Sequence, residues 1–460
     1  MKNKRPQKSD EVRDKALEII WTVFEKGAYA NLQLEKNLRS TQLSVNDRRL
    51  TTELVNGTVR MSKHLDWVLN LFLKKSLEHQ NPWVRNILRL ALYQIMFMDK
   101  IPPYASINTA VNQTAARTGS GLTGMVNGVL RNIDRNSDNI SYPSHNSDTV
   151  AYLAVYYSHP EWLVKQWLEE YGYEQTIVML RYNNLPAAIT LRCNRLKTNP
   201  DELIEKLAGE AIETRRCENQ PWAVQILKFD KILTGSMPFQ QGWFYIQDTA
   251  SMFAAPILQP EPHQLVYDLC CGLGGKTTHM GEYMQNQGKI KAIDLYQHKI
   301  DLLVHNSERL GISIIEAIAA DILALDTNRM EKAPRVMLDA PCSGLGVLNR
   351  RADARWRKSY QEIEDLIEIQ KCLLNQAALL VEPGGLLLYS TCTINRAENE
   401  DRIKCFLQAH PEFGLEGFEP ALADLPLPAD ERESVATGMF NLLPGRYGTN
   451  GMFYALMRRN

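Results

Sequence analysis

The sequence predicts a multidomain protein in which an all-helical N-terminal part is followed by two α/β parts. Apolar residues recur at helical spacing over residues 1–140. A polar stretch rich in turn formers, residues 136–147, ends this pattern. From Gln247 onward, short apolar runs alternate with helical stretches, which is typical of a parallel sheet with crossover helices. We therefore expect a helical bundle at 1–140, a small α/β module at 148–239 and an open α/β domain at 240–460.

The helical bundle is expected to form around the segment that follows Asn81-Pro82. Asparagine is a good N-cap, and proline is favoured at the first helical position. The apolar residues after this pair form a wide stripe, which indicates a helix central to its bundle. Further helices are predicted over 16–23, 47–59, 104–117 and 125–133, within a bundle of six or seven helices.

Charge is distributed unevenly along the 460 residues. Residues 1–140 hold 21 Lys and Arg against 13 Asp and Glu, an excess of eight positive charges, and the remainder holds 31 against 40. A basic first domain favours a polyanionic partner, and Arg48, Arg49, Arg85 and Arg89 are candidates for contacting phosphate. A solvated basic surface would account for the same charges equally well.

The eight cysteines form neither a small disulfide framework nor paired metal-ligand spacing. We expect free thiols in a cytoplasmic protein without bound metal. No apolar run approaches the ~18 residues of a membrane span, and the basic N-terminus leads into no signal-peptide core. Buried structural roles are expected for Cys193, Cys217, Cys372 and Cys405.

The α/β parts are predicted from apolar runs of strand length and from proline-initiated helices. In the small module these are a short helix opening at 159–162, a strand at 188–192, a helix at 200–207 and a strand at 222–228. In the larger domain the predicted strands are 265–269, 290–293, 312–317, 336–338, 385–390 and 452–457.

A glycine-rich turn, residues 270–277, follows the first predicted strand of the larger domain. Glycines let the backbone approach a ligand, and a helix start offers free N–H groups. A P-loop would need glycine at position 270, where cysteine stands, and a dinucleotide fingerprint would need glycine at position 277, where threonine stands. The glycine spacing is compatible with a third kind of turn, the one that binds S-adenosylmethionine.

Two acids follow the next two predicted strands, Asp294 after 290–293 and Asp321 after 312–317. An acid in the first position can accept hydrogen bonds from both ribose hydroxyls of S-adenosylmethionine. An acid in the second position can accept one from the adenine amino group. The turn and the two acids, in register with three successive strands, favour an S-adenosylmethionine site, although each acid could instead cap a helix.

A carboxylate and two thiols lie at the ends of two other predicted strands. Asp339 and Cys342 follow 336–338, and Cys392 follows 385–390. Ligands bind open α/β sheets at the carboxyl ends of the strands. An activated cysteine beside a carboxyl group suits a reaction in which a thiolate adds to carbon 6 of a pyrimidine and makes carbon 5 nucleophilic. The spacing does not decide which thiol attacks.

These stretches resemble motifs of the RNA cytosine-C5 methyltransferases. Residues 268–279 resemble the first motif, 339–356 the fourth, and 389–399 the sixth. Gln247 to Ser251 resembles the lead-in of the family, and the basic helical part looks like the RNA-binding NusB fold. On these residues, nearly the whole chain resembles the RsmB/Sun/Fmu family of 16S ribosomal RNA methyltransferases. Two departures are Cys271-Gly272-Leu273, where Ala-Ala-Pro is usual, and Asn450-Gly451, where Asp-Gly is common.

The resemblance implies a NusB-like bundle, a small α/β RNA-binding module and a Rossmann-like class I methyltransferase sheet. It implies that Cys392 is the nucleophile, that Cys342 assists product release, and that Asp339, with Lys276 nearby, holds the cytosine near the methyl donor. The residues implied to bind S-adenosylmethionine are Cys270, Cys271, Gly272, Leu273, Gly274, Gly275, Lys276, Asp294, Asp321 and Asp339.

The expected activity is therefore methylation of carbon 5 of one cytosine in 16S ribosomal RNA, by a monomer acting in ribosomal RNA processing. The target base must be unpaired or drawn out of its stack. Two alternatives remain at this point. A methyltransferase acting on transfer RNA or on another ribosomal RNA site would share every catalytic residue. A non-catalytic RNA-binding antitermination factor would use the helical part alone.

Overall fold

The computed structural model describes residues 10–39 and 43–460, and in it the chain divides into two compact units. The helical unit contains the described residues up to Leu185 together with Leu348–Arg357. The sheet unit contains Pro186–Val347 and Lys358–Asn460. In the described part of the chain, no helix has the length and apolar character needed to cross a membrane.

The helices follow the sequence pattern closely, and several begin at the caps that the sequence predicts. Asn81 accepts a hydrogen bond from the Trp83 N–H, so the central helix begins at Pro82 as expected. In chain order the helices of the helical unit are α1 (Glu11–Lys26), α2 (Ala30–Arg39), α3 (Val45–Arg60), α4 (Ser62–Phe72), α5 (Pro82–Phe97), α6 (Pro103–Thr118), α7 (Thr123–Arg135), α8 (Thr149–Tyr156) and α9 (Glu161–Asn184). Those that follow are α10 (Pro200–Ala208), α11 (Met237–Gln240), α12 (Ala254–Leu258), α13 (Gly275–Tyr283), α14 (Gln297–Leu310), α15 (Ala354–Arg357, again in the helical unit), α16 (Tyr360–Leu380), α17 (Glu400–Ala409) and α18 (Ala429–Ala436).

The strands of the sheet unit form two sheets. The smaller sheet is antiparallel, in the order β2-β3-β1-β4, and the larger sheet has the order β10-β12-β9-β8-β5-β6-β7, with β11 paired to β12. The strands are β1 (Thr190–Cys193), β2 (Glu213–Cys217), β3 (Gln220–Lys228), β4 (Phe244–Ile246), β5 (Leu265–Leu269), β6 (Lys289–Asp294), β7 (Ile315–Ala319), β8 (Ala333–Asp339), β9 (Val381–Thr391), β10 (Phe413–Leu415), β11 (Met439–Leu442) and β12 (Met452–Arg459).

The larger sheet has a topological switch point between β5 and β8. From β5 the chain adds β6 and β7 on one side, then returns to place β8 and β9 in parallel on the other. Strand residues alternate between two apolar clusters, with Val266 and Met337 on one face and Tyr267 and Leu338 on the other. Ligands bind open sheets of this type outside the carboxyl ends of the strands at the switch point.

All six strands predicted for the larger domain form, but one begins later than expected. Ile312 does not start β7, because Gly311 ends α14 in the left-handed conformation at φ 77° and the Ile312 N–H bonds back to the Ser307 carbonyl at 2.9 Å. This Schellman-type cap extends past the helix and delays the strand to Ile315. Four strands were not predicted: β2, β4, β10 and β11.

The small module also differs from its predicted outline. The helix expected to be short at 159–162 runs through α9, with a break at Gly172 where φ is 71°. Helices α8 and α9 belong to the helical unit, and β4 extends the small sheet beyond residue 239 by pairing with β1. The three-domain boundaries at 1–140, 148–239 and 240–460 remain a prediction.

The segment Leu348–Arg357 is anchored inside the helical unit by buried polar contacts. The Arg355 side chain is fully buried and donates to the Ser158 carbonyl at 3.0 Å and the Asn183 carbonyl at 2.8 Å. Asp353 accepts a hydrogen bond from the Ala30 N–H at the start of α2 at 3.2 Å, and the Trp356 indole donates to the Val59 carbonyl at 2.9 Å. Ten residues from the second half of the sequence therefore belong to the helical unit.

Two of the expected phosphate contacts are engaged within the helical unit instead. Arg85 forms an ion pair with Glu25, and Arg89 forms one with Asp66 at 2.6 Å. These pairs favour a structural role for Arg85 and Arg89 over phosphate binding.

Gly57, in α3, tests how tightly the helical unit packs. A Cβ at Gly57 would overlap the ring of Tyr93 on α5, whereas a Cβ at Gly128, in α7, meets no atom within 4 Å. We expect Gly57→Ala to destabilise the protein by about 1–3 kcal/mol through overpacking. Gly128→Ala should stabilise it by about 0.5–1 kcal/mol, because alanine is the better helix former. Thermal unfolding followed by circular dichroism measures both, and equal effects would contradict this packing.

Candidate active site

The switch point of the larger sheet brings three loops together. The glycine-rich turn follows β5, the Asp339–Cys342 turn follows β8, and Cys392 follows β9. The register pairs Leu269 with Leu338 and Asp339 with Ser390, so the three strands end at nearly the same level. The residues that the sequence singled out on β5, β8 and β9 therefore lie at one edge of the sheet.

The glycine-rich turn uses left-handed backbone conformations at Cys270 (φ 63°), Gly272 (φ 57°) and Gly274 (φ 86°). A Cβ at Gly274 would overlap the Leu303 side chain of α14, so only glycine fits there, whereas Gly272 faces open space. Helix α13 begins at Gly275, so the N–H groups of its first turn have no intrahelical acceptors. The turn is shaped to receive a ligand.

The two cysteines of the turn are unsuited to nucleophilic attack. Burial, followed by the charges of Asp339 and Asp294, raises the pKa of the Cys270 thiol to about 12. Burial, followed by the charge of Asp268, raises the pKa of Cys271 further. Both groups are thiols at neutral pH, which agrees with the expectation that they line the turn.

A buried arginine fixes the start of α13. Arg192, on β1 of the smaller sheet, donates to the Gly275 carbonyl at 2.5 Å and to the Thr278 hydroxyl at 2.9 Å. It is also paired with Glu282 at 2.8 Å, and both side chains are almost fully buried. Sequence reasoning missed this pair, since nothing local in the sequence marks Arg192 as buried.

Lys276 and Asp339 form an ion pair at the switch point. Lys276 Nζ lies 2.6 Å from Asp339 Oδ2, and the Ser390 hydroxyl donates to Asp339 Oδ1 at 2.9 Å. Burial alone would lower the pKa of the Lys276 ammonium, but the charges of Asp339, Cys392 and Asp268 outweigh burial and raise it. Lys276 is therefore a fixed positive charge facing the carboxylate.

The two thiols singled out by the sequence converge. Cys342 Sγ lies 3.4 Å from Cys392 Sγ, within hydrogen-bonding distance for sulfur. The hydrogen bond to Cys392, followed by burial, raises the pKa of the Cys342 thiol well above its ordinary value. The raised pKa means that Cys342 holds its proton at neutral pH.

The remaining four cysteines are free thiols. Cys193 is buried and Cys217 is half-buried. Cys372 and Cys405 are exposed, so the expectation that they are buried is wrong: they lie on the solvent faces of α16 and α17. Within the described residues, no cluster of three or more His, Cys, Asp or Glu side chains could hold a metal ion.

Asp294 and Asp321 lie at the ends of β6 and β7, as the sequence predicts. Asp294 accepts from the Gly272 N–H at 3.0 Å and pairs with Lys299 at 3.2 Å, so it ties the glycine-rich turn to the next strand. Asp321 is exposed, and its Oδ1 caps a single 3₁₀ turn by accepting from the Leu323 N–H at 2.9 Å. The helix-cap role considered for these acids thus holds for Asp321.

Asp268 is a fully buried carboxylate at the end of β5, beneath the turn. Its Oδ2 accepts from the Thr277 hydroxyl at 2.5 Å, and its Oδ1 is buried without a hydrogen-bond partner among the described residues. Burial, partly opposed by Thr277 and reinforced by the charge of Asp339, raises the pKa of Asp268 to about 7. The sequence does not reveal this raised pKa, because it depends on how deeply the folded chain buries Asp268.

The raised pKa of Asp268 makes stability depend on pH. The folded protein keeps a proton on Asp268 that the unfolded chain releases near pH 4, so the contribution of Asp268 to the free energy of unfolding falls as pH rises from about 4 to about 7. Asp268→Asn cannot ionise. We expect its free energy of unfolding, relative to wild type, to rise across this window by up to about 4 kcal/mol. Urea unfolding at several pH values measures this, with exposed Asp365→Asn as the control for loss of one charge. If the difference in free energy of unfolding between Asp268→Asn and wild type does not change with pH, this prediction is contradicted.

Comparisons with known proteins agree with this architecture. Residues 255–458 match the family model described as 16S rRNA methyltransferase RsmB/F. Residues 10–135 match the NusB family, and 159–232 match an RsmF/B-like ferredoxin-like domain.

Full-length relatives are also similar. A probable ribosomal RNA small subunit methyltransferase B of Bacillus subtilis is 40% identical, covering 98% of this chain and 99% of its own. A protein of Synechocystis with the same name is 34% identical, covering 97% and 99%. The crystal structure of PH0851 is 28% identical with a TM-score of 0.78, covering 99% of this chain and all of its own. With a 40% identical relative aligned over almost its entire length, the chain belongs to the RsmB family of ribosomal RNA small subunit methyltransferases.

Proposed function

We propose that this protein transfers a methyl group from S-adenosylmethionine to carbon 5 of one cytosine in 16S ribosomal RNA, through a covalent adduct at carbon 6. The observation that carries the proposal is the pair of thiols 3.4 Å apart, next to the Lys276–Asp339 ion pair and the glycine-rich turn. Membership of the RsmB family supports the choice of ribosomal RNA.

The residues at the strand ends fit S-adenosylmethionine. The N–H groups at the start of α13 and the open space at Gly272 would accommodate its methionine part. Asp294 would hold the ribose hydroxyls: its carboxylate already accepts from the Gly272 and Tyr296 N–H groups and pairs with Lys299, so the hydroxyls would take the remaining acceptor site and replace one of these contacts. Asp321, through Oδ2, would accept from the adenine amino group. S-adenosylmethionine supplies the electrophilic methyl group.

The thiols divide the chemistry between them. Cys392 would attack as a thiolate, forming a bond from Sγ to carbon 6 and pushing electrons toward carbon 5. Cys342, whose raised pKa keeps it protonated, is unsuited to the first attack. After methyl transfer, a base must take the proton from carbon 5; the electron pair of that C–H bond restores the double bond between carbons 5 and 6, and Cys392 leaves as a thiolate. Cys342, a protonated thiol beside the leaving sulfur, is placed to assist release by hydrogen-bonding the departing thiolate.

Asp339 and Lys276 would orient the base. Asp339, held by Ser390 and Lys276, presents a carboxylate at the end of β8 that can accept a hydrogen bond from the cytosine amino group, and from N3 when N3 carries a proton in the adduct. Such a contact stabilises the electron-rich ring formed when Cys392 adds. The Lys276 charge keeps Asp339 in one orientation. We propose that the helical unit and the smaller sheet bind the surrounding RNA.

The role of each thiol can be separated by substitution. With Cys392→Ala, we expect bisulfite mapping of 16S ribosomal RNA to show no methylation, because no bond to carbon 6 can form. With Cys342→Ala, we expect a covalent protein–RNA complex to accumulate on denaturing gels, because release is slowed. Exposed Cys405→Ala should behave as wild type. Full activity of Cys392→Ala would contradict its assignment as the nucleophile, and normal turnover of Cys342→Ala would contradict the release role. Bisulfite mapping of total RNA, rather than of 16S ribosomal RNA alone, also shows whether the methylated cytosine lies in transfer RNA.

Cofactor binding can be tested without RNA. Removing the Asp294 charge should weaken S-adenosylmethionine binding by roughly 10- to 100-fold, the value of a charged hydrogen bond. Calorimetry on Asp294→Asn and on wild type measures this, with Asp301→Asn, on the exposed face of α14, as the control. Absence of heat with the wild-type protein would instead favour a non-catalytic RNA-binding factor.

A further inference from the structure

A buried carboxylate, Glu398, lies behind the two thiols and is not accounted for by the proposed chemistry. Its side chain has no solvent exposure, and it lies in the turn between β9 and α17. Buried carboxylates are rare unless they are paired or hydrogen-bonded, because leaving water costs a charged group several kcal/mol. Among the described contacts, Glu398 has no cationic partner, so its hydrogen bonds must offset that cost.

Glu398 binds the turn that carries Cys342. Its Oε1 accepts from the Ser343 N–H at 2.8 Å, and its Oε2 accepts from the Ser343 hydroxyl at 2.5 Å. Gln370 on α16 donates to the same Oε1 at 3.0 Å and to the Pro341 carbonyl at 2.9 Å. The residues on both sides of Cys342 are therefore held by one carboxylate and one amide.

Glu398 also reaches the turn that carries Cys392. The Ser343 hydroxyl lies 2.7 Å from the Thr393 hydroxyl, next to Cys392. The Tyr389 hydroxyl donates to the Glu398 backbone carbonyl at 2.8 Å, which ties the turn back to β9. The side chains of the network, those of Ser343, Gln370, Tyr389, Thr393 and Glu398, are almost fully buried, so solvent does not compete for the hydrogen bonds between them.

From this geometry we infer that Glu398 is a positioning residue that holds the two thiols at reacting distance. It fixes Ser343, beside Cys342, and through the Ser343 hydroxyl it fixes Thr393, beside Cys392. The inference rests on the proposed function, because the separation of the thiols matters only if both act on one pyrimidine. Misplacement by about 1 Å can cost on the order of 100-fold in rate.

The test compares variants of the full-length protein in two assays. Glu398→Ala removes the network, Glu398→Gln keeps the size and one acceptor oxygen, and Ser343→Ala deletes only the bridging hydroxyl. Glu400→Gln is the matched control, because Glu400 lies two residues away and accepts from Asn441 on β11 rather than from the Cys342 turn. Circular dichroism confirms that each variant is folded before it is compared.

The first assay reports the thiols without RNA or cofactor. Diamide oxidises two neighbouring thiols to a disulfide and is itself reduced to a hydrazine, taking up the two protons and two electrons. Peptide mass spectrometry then measures the rate at which Cys342 and Cys392 become linked. We expect rapid linkage in wild type and Glu400→Gln, and at least about tenfold slower linkage in Glu398→Ala and Ser343→Ala. Equal rates in all four proteins, or no linkage in wild type, would overturn the inference.

The second assay separates positioning from binding. We expect Glu398→Ala to lower kcat for RNA methylation by about 10- to 100-fold while KM for RNA and for S-adenosylmethionine changes less than about threefold. Glu398→Gln should recover most of kcat. If Glu398→Ala lowers kcat/KM only by raising KM, with kcat unchanged, the positioning role is refuted. If wild type does not methylate RNA but the linkage rates still differ, the proposed function fails while the positioning of the thiols by Glu398 stands.

Discussion

The parallel pairing of β8 with β9 is the constraint on which the site depends. Asp339 pairs with Ser390, so the strands end together and deliver their following turns to the same place. Cys342 lies three residues after Asp339, and Cys392 two residues after Ser390. Two thiols separated by 50 positions in the sequence thus meet at 3.4 Å because the strands that carry them are paired. A slip of one residue in this register would turn one of them away from the site.

The strands of the larger sheet carry the residues of the candidate site. Buried polar side chains hold the backbone segments next to those residues in place. Arg192 holds the start of α13, Asp294 holds Gly272, and Glu398 holds Ser343. In each case an acidic or basic side chain satisfies a backbone group of a turn or of a helix start. Such contacts are costly to bury and costly to lose, which suits turns that must keep one conformation.

Much of the fold could be predicted from sequence because its signals are local. The start of α5 follows from Asn81-Pro82, and the parallel strands follow from apolar runs bounded by turns. The strands that were missed have no such signal: β4 and β10 have only three residues each, and β2 is largely charged and exposed. The late start of β7 depends on how Gly311 closes a helix, which requires three-dimensional geometry.

The candidate site divides in the same way. Asp339, Cys342 and Cys392 could be predicted because polar residues that end apolar strands are conspicuous in a sequence. Glu398 and Arg192 could not, since their importance lies in being buried against turns far away in the chain. Arg85 and Arg89, named as candidates for contacting phosphate, are paired with Glu25 and Asp66, and the sequence does not reveal these partners because they are distant along the chain. Contact of the two arginines with phosphate stays a prediction.

The passage of residues 348–357 through the helical unit has a consequence for how such a protein can be divided. The two units are interleaved rather than joined end to end, so no single cut separates them. A fragment beginning at Pro186 would carry the Arg355 guanidinium without the Ser158 and Asn183 carbonyls that solvate it. A fragment ending at Leu185 would lose the carboxylate of Asp353 that caps α2.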